Sequence, residues 1–380
     1  MTKTPQIHPF LIDIDDAELA DLTFRLEHTR RPRPVPGDSD DWSRGIPGGY
    51  LYDLAEYWRT SYDWRKAEQE LNSFPQYTTE IDGQTIHFLH VRSPEPDALP
   101  LVLTHGWPGS VAEFLEVLGP LTDPSAYGGN PRDAFHVVAP SVPGHGFSLP
   151  LQDGWNHGRI ARAWAELMSR LGYERYGAQG GDTGSVVSPL LGQLDPEHVV
   201  GVHINGGLAF PEVEPGDVRT DAERERLAAA ERLRAVGTGY ADLQGTRPQT
   251  VSYGLSDSPV GQLAWILEKF WEWTDPEHAL PEKAVDLDHL LTDVSIYWFT
   301  NSSATSANLY YENRRAADAI RPSVPTGVAV FPTDPAIRRV LDRRHHIVHW
   351  SEFSRGGHFA ALEAPDLLVD DIRAFFRLVR

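Results

Sequence analysis

The 380-residue sequence contains no cysteine. This absence excludes disulfide bonds, cysteine-ligated zinc, iron–sulfur clusters and catalysis by a thiol. Basic residues are also few, because 34 Lys and Arg stand against 54 Asp and Glu and give a formal net charge of −20. A chain with this charge repels phosphate groups, so we expect neither nucleic acid nor an anionic membrane surface as a partner.

The sequence also lacks a long apolar run. The first ten residues are polar and include two prolines, whereas a secretory signal needs an apolar stretch. The longest uncharged stretch, residues 134–152, contains three prolines and two glycines and is unsuited to a membrane-spanning helix. We therefore expect a soluble protein without a membrane anchor, and the absence of cysteine suits a cytoplasmic location.

Short apolar segments alternate with helical segments in the middle of the chain. Residues 101–104, 135–139 and 199–204 are predicted to form buried strands, and residues 160–171 have the apolar spacing of an amphipathic helix. Alternating strands and helices predict an α/β fold, with a mostly parallel sheet covered by helices on both faces.

Residues 208–320 interrupt this alternation. They are predicted to be largely helical and are rich in aromatic residues, and strand patterns return at 327–331 and 345–350. A helical segment between two parts of one sheet is typical of a lid over the sheet. The predicted units are an N-terminal extension that packs on core and lid (1–95), a core in two parts (96–207 and 321–380) and the helical lid (208–320).

The segment Gly-Gly-Asp-Thr-Gly-Ser, residues 180–185, lies between a predicted strand at 173–179 and an apolar helix. Asp182 has a glycine two positions before it and two positions after it, which is the spacing of a nucleophile turn, G-x-Nuc-x-G. The glycines let the backbone turn sharply without steric clash. An ordinary glycine loop would look the same, and Pro189 disfavours a regular helix after the turn.

A second motif, His-Gly-Trp-Pro-Gly at residues 105–109, directly follows the first of the predicted buried strands. A His-Gly turn in this position presents a backbone N–H to a developing oxyanion, and Trp107 would carry that N–H. Thr183, the residue after Asp182, would carry the second donor. The alternative is that His105 is a turn histidine without a catalytic role.

His358 lies in a Gly-Gly-His-Phe segment near the C-terminus, where a glycine loop suits a catalytic base. Asp334 follows the strand predicted at 327–331 and could orient the imidazole. Each has a structural alternative, since the chain has 16 histidines and an aspartate before proline is common in turns. The order nucleophile, acid, histidine is nevertheless the order found in α/β hydrolases.

An aspartate in the nucleophile position narrows the chemistry. Its carboxyl group has a reference pKa of about 3.9 and is ionised at neutral pH without a base. It can therefore attack an sp³ carbon to form an ester, and His358 can then activate water against that ester. These steps fit epoxide opening or carbon–halogen cleavage, whereas ester or peptide hydrolysis would call for serine or cysteine in place of Asp182.

Over nearly its whole length, the chain resembles the microsomal-type epoxide hydrolases, including their soluble bacterial and fungal members. The similarity extends through the N-terminal region, the lid and the histidine loop. It is carried by Tyr57-Trp58-Arg59, Tyr62-Asp63-Trp64-Arg65, Leu71-Asn72-Ser73-Phe74, Ser258-Pro259-Val260-Gly261, Ile266-Leu267-Glu268-Lys269-Phe270 and residues 355–361.

This resemblance implies an α/β-hydrolase fold with an inserted lid, a hydrolase that needs no cofactor and a small-molecule epoxide as substrate. Asp182 matches the family's nucleophile, His358 its general base and Asp334 its acid. The reaction would convert an epoxide and water into a vicinal diol through a covalent ester on Asp182.

The resemblance also implies two proton donors. The family protonates the epoxide oxygen with two lid tyrosines, which correspond to Tyr240 and Tyr310, with the adjacent Tyr311 as the alternative to the second. Phenols with a pKa near 10 can donate a proton to an alkoxide at neutral pH. Family members are often dimers, so a homodimer is expected.

The sequence departs from the family at Thr183, where many members have Trp. Only the backbone N–H of Thr183 is needed for the oxyanion, so we expect the chemistry to be retained.

A dehalogenase shares the Asp nucleophile and the His base, but it needs halide-binding donors that are often Trp, so Thr183 counts against it. A non-catalytic binding protein on the same fold is the third hypothesis. No spacing such as His-Glu-x-x-His indicates a metal site.

The aromatic lid indicates an apolar or aromatic substrate. Trp271 and Trp298 are candidate residues for contacting it. The alternative for both is a place in the packed core of the lid.

Overall fold

A single sheet organises the molecule. The computed structural model describes residues 6–33, 41–206, 213–321 and 323–380. The strands within these ranges are β1 (His8–Phe10), β2 (Gln76–Ile81), β3 (Gln84–Val91), β4 (Leu99–Thr104), β5 (Phe135–Pro140), β6 (Tyr176–Gly181), β7 (Val199–Asn205), β8 (Pro325–Val330) and β9 (His346–Glu352). Their order is β1-β2-β3-β5-β4-β6-β7-β8-β9. The three pairs from β1 to β5 are antiparallel and the five from β5 to β9 are parallel, which confirms a mostly parallel sheet.

Helices flank the sheet and fill the segment between β7 and β8. They are α1 (Asp16–Glu27), α2 (Gly48–Thr60), α3 (Trp64–Asn72), α4 (Leu115–Thr122), α5 (His157–Arg170), α6 (Thr183–Leu194), α7 (Asp221–Val236), α8 (Gly239–Thr246), α9 (Pro248–Asp257), α10 (Pro259–Trp273), α11 (Leu287–Phe299), α12 (Ser303–Asn313), α13 (Arg338–Leu341), α14 (Ala360–Glu363) and α15 (Pro365–Val379). Within the described ranges, none of these helices has the length and apolar character to cross a bilayer.

Consecutive side chains of β4 point to opposite faces of the sheet. Leu101 and Leu103 are buried in an apolar cluster with α4 and α15, whereas Val102 is buried in a second cluster with α5 and α6. A strand covered on both faces is apolar at every position, which explains why these strands appear as continuous apolar runs in the sequence. The predicted coverage by helices on both faces is confirmed.

The N-terminal segment belongs to both the sheet and the lid. Strands β1, β2 and β3 extend the sheet at one edge, and α1 and α2 pack against α10. The Trp58 indole N–H donates to the Ser295 hydroxyl of α11 at 3.0 Å. The boundaries 95/96, 207/208 and 320/321 remain predictions, and the second lies within 207–212, outside the described residues.

The apolar helix predicted after the turn forms, although Pro189 disfavours it. Helix α6 runs through Pro189 to Leu194. Proline removes one backbone hydrogen bond, but Val187, Leu190 and Leu191 are buried in the cluster that α6 forms with α5 and the sheet. Packing of this apolar face therefore outweighs the local penalty of the proline.

Candidate active site

Asp182 lies at the turn between β6 and α6. Its φ of 51° and ψ of −116° place it in a conformation that side-chain-bearing residues rarely adopt. Gly184 makes the turn possible, because a Cβ there would lie 2.2 Å from the carbonyl oxygen of Thr104. The chain thus forms the sharp strand-to-helix turn that the glycine spacing predicts, with Asp182 at its tip.

The two carboxylate oxygens of Asp182 have different surroundings. Oδ1 accepts hydrogen bonds from the backbone N–H groups of Trp107 at 3.0 Å and Thr183 at 2.7 Å. Oδ2 lies 3.3 Å from Nε2 of His358. One oxygen is therefore held where negative charge can be stabilised, and the other faces the imidazole.

Asp182 and His358 perturb each other electrostatically. Burial alone would raise the pKa of Asp182, but the hydrogen bond and charge of His358, followed by the two N–H donors, lower it below its usual value. Burial alone would lower the pKa of His358, but the hydrogen bond and charge of Asp182, followed by the charges of Asp334 and Glu363, raise it. Each group therefore favours the charged form of the other, and the basicity of His358 depends on the charge of Asp182.

The substitution Asp182→Asn is expected to lower the pKa of His358. The amide removes the charge and leaves burial as the main influence on the imidazole. Imidazole resonances followed by NMR across a pH series measure the change. His198, whose pKa is raised by Asp195, serves as the internal control. An unchanged or raised pKa for His358 in the variant would contradict this electrostatic coupling.

Asp334 lies on the loop after β8 and is 3 % exposed. Its Oδ2 accepts from the Phe331 N–H at 2.9 Å. Burial raises the pKa of Asp334 to about 6, while the hydrogen bond from Phe331 and the charge of His358 act in the opposite direction. The carboxylate of Asp334 in turn helps to raise the pKa of His358, so the two residues are coupled by charge.

Trp273 at the end of α10 positions the histidine loop, a role that the sequence pattern did not reveal. Its carbonyl oxygen accepts from the His358 N–H at 2.9 Å, and its ring lies 5.0 Å from the imidazole. A Cβ on Gly357 would lie 2.7 Å from that carbonyl oxygen, so glycine is needed for the close approach. Asp275 also holds the loop, because its carboxylate accepts from the Gly356 N–H at 2.7 Å.

Two tyrosines of the lid face each other beside Asp182. Tyr240 on α8 and Tyr310 on α12 have ring centroids 5.8 Å apart. Burial, and to a smaller extent the charge of Asp182, raises the pKa of both, so both phenols are protonated at neutral pH. Tyr311 instead packs its ring 3.3 Å from the guanidinium of Arg315. The lid therefore brings Tyr310, not Tyr311, next to Tyr240.

A cavity of about 480 Å³ opens beside these residues. The residues lining it include Asp182, Tyr240, Tyr310, Val186, Leu309 and His157. A second cavity of about 20 Å³, lined by Asp182, His358, Asn205 and Glu113 among others, has room for one water molecule.

Trp271 and Trp298 do not line either cavity. Trp271 stacks on Trp42 with ring centroids 4.3 Å apart, and Trp298 lies 5.8 Å from the guanidinium of Arg25. Both therefore pack against the N-terminal segment. This placement favours the alternative of lid packing, and contact with substrate remains a prediction.

Two acids, the buried Asp293 and the half-buried Glu113, lie behind the Trp107 turn and were not found from the sequence. Burial raises the pKa of Asp293 to about 7, and burial with the charges of Asp293 and Asp182 raises the pKa of Glu113. The Ser110 hydroxyl donates to Asp293. Burial therefore favours the protonated form of both acids. In the part of the chain that the structure describes, no group of three or more His, Asp or Glu side chains is arranged to hold a metal ion.

The fold and the site define an α/β hydrolase with a helical lid and a carboxylate in the nucleophile position. The family described as "Epoxide hydrolase N terminus" matches residues 7–114, and that described as "alpha/beta hydrolase fold" matches residues 100–256. The chain belongs to the epoxide hydrolase family.

Individual relatives cover almost the whole chain. A Stigmatella aurantiaca protein provisionally named an epoxide hydrolase is 49 % identical over 98 % of this chain and 86 % of its own length. Epoxide hydrolase 1 of Sus scrofa is 37 % identical over 98 % of this chain and 89 % of its own length. The structure of Aspergillus niger epoxide hydrolase superposes with a TM-score of 0.87 at 36 % identity and covers 99 % of this chain and 97 % of that one. These findings confirm the fold and the resemblance inferred from the sequence motifs.

Proposed function

We propose that this enzyme adds water to an epoxide through an ester between Asp182 and a ring carbon, and releases a vicinal diol. One observation carries the proposal. Asp182 Oδ1 is bound by two N–H donors, Oδ2 faces His358, and Asp182 lines a cavity with the two neighbouring phenols of Tyr240 and Tyr310. This arrangement supplies a nucleophile, an oxyanion site, a base and proton donors in one place.

In the first step, Oδ2 of Asp182 attacks an epoxide carbon and the ring C–O bond breaks. The electron pair moves to the epoxide oxygen, which takes a proton from Tyr240 or Tyr310. The negative charge of Asp182 raises the pKa of both phenols. Because ester formation removes that charge, the phenols become more acidic as the alkoxide develops.

In the second step, His358 takes a proton from water, and the water oxygen attacks Cγ of Asp182. Negative charge develops on Oδ1, where Trp107 and Thr183 donate. The bond between Cγ and Oδ2 then breaks, and the second proton of the water moves from the new carboxyl group to Oδ2. The diol therefore leaves with Oδ2, and the water oxygen stays in the carboxylate. His358 returns its proton to the tyrosinate. Asp334, through its charge, stabilises the imidazolium.

The substitutions Tyr240→Phe and Tyr310→Phe are each expected to lower kcat/KM about tenfold, and the double substitution about 10³-fold, because either phenol can protonate the alkoxide while the other supports it. Steady-state kinetics on one epoxide measures the effect. Tyr311→Phe is the matched control and is expected to leave kcat/KM unchanged. Unchanged kinetics in the double variant would remove the phenols from the mechanism.

Dehalogenation is the second candidate, because it uses the same Asp and His chemistry. The paired phenols of Tyr240 and Tyr310 favour protonation of an alkoxide, and Thr183 offers no indole donor to a halide. The purified protein is tested on matched terminal epoxides and 1-haloalkanes, with diol and halide as products. We expect diol from the epoxides and no halide release. Halide without diol would favour the dehalogenase, and no turnover on either panel would favour a binding protein.

Further expectations concern substrate and assembly. Val186, Leu309 and the ring of Tyr240 favour an apolar or aromatic substituent on the epoxide.

Resemblance to the family supports a homodimer. Light scattering measures the mass in solution, and the mass of a single chain would contradict the homodimer. A cytoplasmic location is tested by fractionation of cells that express the natural gene.

A further inference from the structure

His157, the first residue of α5, lines the same cavity as Asp182, Tyr240 and Tyr310. It is half-buried, and the mechanism above gives it no role. Its surroundings decide which of its ring nitrogens carries a hydrogen.

The side-chain amide of Asn313 contacts His157 twice. Oδ1 of Asn313 accepts from the backbone N–H of His157 at 2.9 Å, and Nδ2 of Asn313 lies 2.8 Å from Nε2 of His157. A backbone N–H can only donate, so the oxygen end of the amide must face it and the NH₂ end must face the ring. Because NH₂ can only donate, Nε2 of His157 must accept. The hydrogen of the neutral ring is therefore on Nδ1.

The ring is also held neutral. An imidazolium would place an Nε2–H against the NH₂ of Asn313, which is two donors facing each other. Burial lowers the pKa of His157 to about 4, against the opposing charges of Asp182 and Asp318. At neutral pH, His157 is a fixed donor at Nδ1 and cannot act as a cation.

Among residues 6–33, 41–206, 213–321 and 323–380, Nδ1 of His157 has no hydrogen-bond partner. It is also not closed off from solvent as a buried atom. The cation that shares the cavity, Arg314, is already paired with Asp242 at 3.1 Å. The imidazole N–H of His157 is therefore an unpaired donor on a residue that lines the cavity.

We infer that Nδ1–H of His157 binds an acceptor oxygen on the substituent of the epoxide, so that this enzyme prefers epoxides bearing an ether, carbonyl or hydroxyl oxygen over pure hydrocarbon epoxides. The inference rests on the proposed function and narrows its substrate class. A hydrogen-bond donor in a binding cavity discriminates because a substrate without the matching acceptor leaves that donor without a partner.

Benzyl glycidyl ether and 1,2-epoxy-5-phenylpentane form a suitable pair of probes, since they differ by one ether oxygen in place of a methylene group. The ratio of kcat/KM for the ether to that for the hydrocarbon is measured in the unsubstituted enzyme and in His157→Phe. We expect the ratio to fall about tenfold in the variant, through KM for the ether rather than through kcat. His157→Gln, which keeps a side-chain N–H, should restore part of the ratio. Equal ratios in the unsubstituted enzyme and His157→Phe would overturn the inference.

The same two compounds separate this inference from the proposed function. If neither is hydrolysed, the proposed function fails for this substrate class, yet Kd values for both compounds can still be measured in the Asp182→Ala background with and without His157→Phe. Tighter binding of the ether that disappears with His157→Phe would support the donor. Equal Kd ratios in the two backgrounds would overturn it whether or not turnover occurs.

Discussion

Replacing Asp182 with Ala is expected to lower kcat/KM for epoxides by at least about 10⁴-fold. The reason is that Asp182 supplies the bond-forming oxygen, and no other carboxylate lies against both the Trp107 and Thr183 N–H groups in the described chain. Diol formation measured with enzyme in excess gives the sensitivity that such a loss requires.

The matched control for that loss is Asp97→Ala, which removes an exposed carboxylate outside the site. We expect it to retain full activity. Circular dichroism checks that the Asp182 variant has kept its fold. Turnover of the Asp182 variant near that of the unsubstituted enzyme would show that the attacking oxygen comes from elsewhere.

The substitution His358→Gln is expected to separate the two chemical steps. Asp182 is ionised without help from a base, so the ester should still form. Hydrolysis of the ester requires the base and should slow by about 10³-fold or more. Intact-mass spectrometry should show one equivalent of epoxide added to each chain, followed by slow loss of the adduct.

His198→Gln provides the control for the histidine substitution, since His198 is an exposed histidine paired with Asp195. It should show neither an adduct nor a loss of turnover. Rapid steady-state turnover by His358→Gln would assign the base to another residue. Failure to form an adduct at all would place His358 in the first step.

Local sequence was sufficient to predict the sharp turn at Asp182 and the two backbone N–H groups that contact its carboxylate. The turn at Asp182 depends on glycines within two residues of it, and the Trp107 N–H follows directly from a strand. Such features depend on a few neighbouring residues, so their spacing can be recognised without knowledge of the whole fold. Asp334 and His358 were predictable for a related reason, because each follows a strand that the sequence pattern identified.

Contacts between distant segments were harder to predict. Nothing in the composition selects Tyr240 and Tyr310 from 13 tyrosines, and they meet only because α8 packs on α12. The lid surface that α1 and α2 cover is likewise set by tertiary packing. Because of this packing, Trp271 and Trp298 lie against the N-terminal segment rather than in the wall of the cavity beside Asp182.

Strand β2 was not predicted from the sequence, although the turn that follows it has a recognisable sequence. Its residues are mostly polar, which is usual near the edge of a sheet. The following Asp82 and Gly83 have φ values of 51° and 75° and connect β2 to β3 in a tight hairpin. An Asp-Gly pair between two extended segments is a strong hairpin signal, so this strand could have been predicted from the turn rather than from apolar alternation.

The covalent role of Asp182 is tested most directly by one turnover in ¹⁸O-labelled water with enzyme in excess, followed by mass spectrometry of the diol and of the peptide that contains Asp182. Because the second step retains the water oxygen in the carboxylate, we expect ¹⁸O in the Asp182 peptide and none in the diol from this first turnover. Label in the diol with an unlabelled Asp182 peptide would mean that water attacks the epoxide directly, and it would contradict the ester mechanism.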